Sequence, residues 1–187
     1  MWLTPTDLIR INHSSEIIGR ATLVCQKFET TCNEILSWFE ATRVLINKEY
    51  EFMSDEYKSY VDRLHSYLLN KSINELTQKK NGFRPSEKEL KILNDARKSR
   101  NWIVHESGIS SLYNYRTNNE TLTKEQLQIH VKNVARGEFL VSKWSYEFYE
   151  RKSHNLVKEE IYVNLILDWV IEPPNENEIR TTLWFFN

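Results

Sequence analysis

The chain has 187 residues, 40% of them hydrophobic, and a net charge of −1. Such a length suits one domain with a real core, and the composition excludes both intrinsic disorder and a general polyanion binder, so any nucleic acid must be met by a local patch. Four Gly and four Pro are too few to punctuate a many-stranded sandwich and favour long helices.

Thr4-Pro5 opens the first helix as N-cap and first helical residue. Ile17/Ile18, Ala21, Val24/Cys25, Phe28, Cys32, Ile35/Leu36 and Phe39 then recur at helical spacing. Residues 5–46 therefore read as one long helix, or as a short one followed by a long one. Cys25 and Cys32 lie two turns apart on it. Their Cα atoms are about 10 Å apart, beyond disulfide reach, so they are expected as small core residues.

Ser54-Asp55 starts a second helix with Tyr57, Tyr60/Val61, Leu64 and Leu68 on one face. Asn81-Gly82 signals a turn, and Ser86-x-x-Glu89 is a capping box that opens a third helix. That helix carries Leu90, Leu93, Ala96, Ile103 and Val104 and is expected to stop at Gly108. A polar loop follows over 110–119. Thr123-x-x-Gln126 is a second capping box, and Leu127, Val131, Val134, Val141, Trp144 and Phe148 mark the fourth helix.

The tail reads differently. Ile161, Val163, Leu165, Leu167, Trp169 and Ile171 occupy alternate positions, Pro173-Pro174 breaks the run, and Ile179 to Phe186 is β-prone. A β-hairpin is expected here. A fifth helix over 156–171 is its close rival, because Ile161, Leu165 and Trp169 also fit helical spacing. The chain thus divides into a helical bundle, 1–153, and a C-terminal extension, 154–187. A basic leader and an uncharged membrane-length run are both missing, so a soluble, cytoplasmic protein is expected. His13, His65, His130 and His154 are scattered, and neither a metal-ligand spacing, a Gly-rich phosphate loop nor a nucleophile elbow occurs. No metal and no cofactor are expected.

Charge is segregated. From Lys79 to Arg100 eight cations face three acids, a net of +5, whereas from Lys158 onward two cations face six acids, a net of −4. The basic segment offers Arg84, Lys88, Lys91, Arg97 and Lys98 as candidate RNA contacts. It runs into Arg100-Asn101-Trp102-Ile103-Val104-His105. Arginine supplies a permanent, forked positive charge for phosphate oxygens, and histidine exchanges protons near neutral pH. Together they permit cleavage of RNA by its own 2′-hydroxyl, with His105 as general acid or base, Arg100 as the phosphate clamp and Asn101 as orienting group. Trp102 is expected as a packing or dimer anchor rather than a platform for a base.

Arg100-Asn101 followed by His105, on the third long helix of a helical domain, resembles the signature of the HEPN superfamily: Arg, four to six residues, then His, with a polar residue directly after the Arg. The resemblance covers about residues 5–153. It implies an all-α, four- or five-helix bundle, a homodimer, and two motifs meeting in one composite site. It also implies a metal-independent ribonuclease of the toxin–antitoxin, phage-defence or abortive-infection type, with RNA as substrate and an antitoxin or other partner protein. The alternative it leaves open is an inactive module that binds a nucleotide or a protein partner. The chain departs from the toxin members in one respect: Glu106-Ser107 follows the histidine, where many of them carry His-x-Tyr.

Overall fold

The computed structural model describes residues 4–77, 84–117, 120–150 and 157–172. Among them are seven α-helices: α1 (Pro5–Ile46), α2 (Asp55–His65), α3 (Leu69–Leu76), α4 (Glu87–His105), α5 (Ser107–Arg116), α6 (Glu120–Glu150) and α7 (Glu159–Ile171). The described residues form an all-helical bundle without strands, and no helix among them is long and apolar enough to cross a membrane.

At 1.5 Å per residue the 42-residue α1 is about 63 Å long, and it is the spine of the molecule. Every other helix touches it, and α6 runs along both α1 and α4. The reason is its stripe: Ala21, Cys25, Phe28, Cys32, Ile35 and Leu36 are all buried, with Phe28, Cys32 and Leu36 fully enclosed. They meet Leu93, Ala96 and Ile103 of α4, and Leu127, Val131, Val134 and Val141 of α6, in one core cluster. Each Val, Leu, Ile or Phe among them contributes about 1.5–3 kcal/mol by leaving water. Both cysteines are free and buried, as their spacing predicts.

α4 and α6 approach closely at Gly137 of α6. A Cβ there would sit 2.4 Å from the Ala96 Cβ and 3.2 Å from the Phe28 ring. Glycine is therefore required for the two helices to pack at this separation.

The helix starts obey the capping chemistry. Ser54 accepts the Tyr57 N–H at 3.1 Å to open α2. At α4 both halves of the Ser86–Glu89 capping box are formed. The third helix of the sequence reading, however, ends at His105 and not at Gly108. The Ser107 hydroxyl donates to the Ile103 carbonyl at 2.5 Å, closing the helix end without a glycine in the left-handed region, and the chain turns at Glu106 straight into α5. The polar loop expected over 110–119 is therefore largely helix, to Arg116. α6 starts at Glu120, three residues before the expected Thr123 cap.

The tail requires the main correction. Residues 159–171 form the helix α7 rather than a hairpin strand, while the second β-prone stretch, 179–186, lies outside the described residues. Val163, Val170 and Ile171 are buried and Ile166 and Leu167 half-buried, the i, i+3/i+4, i+7 pattern of a helix face. Glu159 and Glu160 sit in its first turn, where acids favour the helix dipole. At its other end the Arg20 Nε donates to the Val170 carbonyl at 2.9 Å, so α1 caps α7 across 150 residues. A buried carboxylate adds a second tie: Glu138 of α6, 1% exposed, accepts from Lys27 Nζ of α1 (2.5 Å), from Ser142 Oγ (2.6 Å) and from the Tyr162 hydroxyl of α7.

Candidate functional site

The Arg100–His105 motif occupies the C-terminal half of α4. Helix geometry alone separates its two chemical groups. Arg100 and His105 are five residues apart, about 140° around the axis. Arg97, Asn101 and His105 recur every four residues and drift only about 80° in all.

Arg100 turns inward toward α1. Its Nη2 donates to Glu29 Oε2 at 2.7 Å and its Nη1 to Asn101 Oδ1 at 3.3 Å. The pair is about one-fifth exposed on each side, and the Arg100 Nε is buried without a hydrogen-bond partner among the described residues. The other Glu29 oxygen accepts the Leu69 N–H at 3.2 Å. Glu29 thus caps α3, whose own N-cap residue, Leu68, offers no side-chain acceptor. Beside this pair lies the Cys25 thiol. Burial pushes it up to about 12, with the Arg100 charge opposing and the Glu29 charge adding. At neutral pH it is a protonated, inert core group.

His105 is the last residue of α4, exposed, and its ring has no hydrogen-bond partner among the described residues. Around it on the α4–α5 corner stand Val104 (40% exposed), Ile109 (73%) and Tyr113 (68%). The last two are one turn apart on α5 and share a face. Asn101 and Glu106 are exposed as well.

The basic residues divide between two faces of α4. Lys88, Lys91, Lys98 and His105 fall within about 100° of the helix circumference, together with Asp95 and Trp102. Arg97 and Arg100 project to the other side. Arg84 precedes the helix and is exposed. The lysine face borders α6. There Lys88, Lys91 and Asp95 of α4 and Asn133 and Arg136 of α6 line a cleft of about 250 Å³. Arg136 is held across it by Glu159 of α7 at 2.8 Å. This cleft lies about 20–25 Å along α4 from His105.

Between the cleft and His105 is a residue that sequence reasoning does not single out. His130 of α6 stacks on Trp102, ring centroids 4.1 Å apart and planes at 18°. Its Nδ1 lies 3.1 Å from the Ser99 Oγ, which also accepts from Asn133 Nδ2 at 3.1 Å. With the hydroxyl occupied as acceptor, its hydrogen is free to point to Nδ1, which favours the neutral ring protonated on Nε2. Burial lowers the pKa of His130, opposed by the Glu106 charge. Ser99 is itself buried and so is no nucleophile. Only the register of α4 against α6 brings these groups together, and no local motif carries it.

The chain finds no match among protein-family models, curated proteins or solved structures. Any functional reading therefore rests on the site itself. Among the described residues no group of three or more His, Cys, Asp or Glu side chains is placed to hold a metal ion.

Proposed function

We propose that this chain is a metal-independent endoribonuclease of the HEPN type, a toxin or phage-defence effector that acts as a homodimer in the cytoplasm. One observation carries the reading. His105 stands exposed, with no hydrogen-bond partner among the described residues, at the end of the α4 face that presents Lys88, Lys91 and Lys98. An RNA backbone lying along that face meets cations first and a titratable group at its end.

The chemistry is a transesterification. A base takes the proton of a ribose 2′-hydroxyl, the 2′-oxygen bonds to phosphorus, and the bond to the 5′-oxygen breaks as that oxygen is protonated. The products are a 2′,3′-cyclic phosphate and a 5′-hydroxyl. His105 serves the proton transfers. Arg100, anchored by Glu29, offers the exposed fifth of its side chain to the phosphoryl oxygens, and Asn101 orients it. Because Arg100 and His105 of one chain diverge, a second copy is needed to complete the site. The exposed Val104, Ile109 and Tyr113 supply an apolar patch for that contact. An antitoxin or other partner protein would then act by covering the same corner.

The test is cleavage of total cellular RNA in EDTA by the purified protein, beside Arg100→Ala and His105→Ala. Chelator-resistant cleavage with cyclic-phosphate ends, lost in both variants, is expected. A specific observation favours a second reading: the Arg100 guanidinium is already engaged inside the fold by Glu29. In that case the chain is an inactive module binding a nucleotide or protein, no preparation cleaves RNA, and Glu29→Gln and Arg100→Ala lower stability to the same extent.

A further inference from the structure

A cleft of about 570 Å³ opens between α1, α2 and the C-terminal end of α6, away from the arginine–histidine motif. Its size falls in the range of small-molecule sites. The walls are Trp38 and Ala41 of α1, Met53 before α2, Tyr57 and Val61 of α2, and Tyr149 of α6. Trp38 and Tyr149 stand edge to face, centroids 5.2 Å apart, and each keeps about half its surface exposed, 49% and 50%. Met53, in the lining, has a left-handed backbone, φ 64°, that a methionine seldom adopts. Ser37 lines the cleft and is 3% exposed, and its hydroxyl has no hydrogen-bond partner among the described residues.

The charges set the class of ligand. Glu34 and Asp62 are on the rim. Lys58, the one lysine of the lining, is 3.6 Å from Asp55 outside the cleft. The rim is therefore net negative, with His65, Tyr57 and Tyr149 also in the lining. The Glu34 carboxylate is close enough to Tyr149 to add to burial in raising the phenol above its usual range. Aromatic faces with carboxylates at their edge attract organic cations, whose diffuse charge is cheap to desolvate.

We infer that this cleft binds a small organic cation, its apolar body against Trp38, Tyr57 and Tyr149 and its ammonium end toward Glu34 and Asp62. The inference is independent of the ribonuclease reading. It is tested by titrating the full chain with benzyltrimethylammonium at pH 8, where an ordinary imidazole is uncharged. The controls are the isosteric neutral neopentylbenzene and benzenesulfonate. Binding is read by tryptophan fluorescence and by NMR line broadening of the probe. The cation is expected to bind at least about tenfold more tightly than the neutral isostere, with benzenesulfonate weaker still. Trp38→Ala is expected to abolish the preference and Glu34→Gln/Asp62→Asn to reduce it severalfold. Unchanged helical circular dichroism would certify each fold. Equal binding of cation and isostere, no binding of either in the millimolar range, or full affinity in the Glu34→Gln/Asp62→Asn variant overturns it.

Discussion

Replacing Tyr162 by phenylalanine deletes one oxygen from the molecule and leaves the ring in place against Phe139, 5.5 Å away. That oxygen donates to Glu138, a carboxylate with 1% exposure whose other partners among the described residues are Lys27 and Ser142. A hydrogen bond to a charged group contributes about 1.5–3 kcal/mol net, and Tyr162→Phe is expected to cost that much. For a chain of this size the loss corresponds to a melting temperature lower by about 3–12 °C. Lys27 is the contrasting case. Its side chain is 59% exposed, so solvent screens the pair, and Lys27→Met is expected to cost under about 1 kcal/mol. Glu138→Ala, which strands the tyrosine hydroxyl and opens a cavity, is expected to exceed both at about 3–5 kcal/mol. Urea unfolding followed by circular dichroism gives all three numbers. If Lys27→Met proves more damaging than Tyr162→Phe, Glu138 stabilises the fold through its ion pair with α1, and the tyrosine hydroxyl is not what ties α7 to α6.

Three other perturbations have defined outcomes. Gly137→Ala gains about 1 kcal/mol of helix propensity but drives a methyl into Ala96, an overpacking cost of about 1–3 kcal/mol; a net loss is expected, relieved by adding Ala96→Gly, and a more stable single variant in denaturant titration would refute the contact. Ser86→Ala removes the acceptor for the Glu89 N–H, and a loss of about 1 kcal/mol in the same assay is expected. Burial lowers the His130 pKa in the fold, so below about pH 6.5 the unfolded chain takes up a proton that the folded chain resists, and stability falls as pH drops through that window. His130→Phe is expected to flatten that acid slope; an unchanged slope would show that other groups produce it.

Much of the bundle is legible in the residue pattern because its signals are local. The α1 stripe, the Ser54 and Ser86 caps and the α6 apolar register are all set within one or two turns. The tail resists such reading for a physical reason. From Ile161 to Ile171 every residue except Asn164 and Asp168 is apolar or aromatic, and such a run matches period 2 and period 3.6 alike. What decides is tertiary: α1 and α6 offer it a two-sided trough, and Arg20 completes its C-terminal end. The α4–α5 corner escapes the pattern because Ser107, and not a glycine, closes the helix. In the candidate site, the positions of Arg100 and His105 on one helix are legible. The Glu29 partner, 71 residues away, and the His130–Trp102 stack are not, since both depend on how α1 and α6 lie against α4.

The central position of α1 also shapes how the chain is made. Its C-terminal half gains neighbours early: Asn33 donates to the His65 and Tyr67 carbonyls as α2 and α3 follow it. Its N-terminal half has a tie that forms much later, for Arg20 donates to the Val170 carbonyl 150 residues on. At a synthesis rate of about 5–20 residues per second, the segment around Ile17 and Ala21 waits roughly 7–30 s on the ribosome before α7 is made. Throughout that interval the bond from Arg20 to Val170 is unmade, so this end of α1 reaches its final packing only when the last helix arrives.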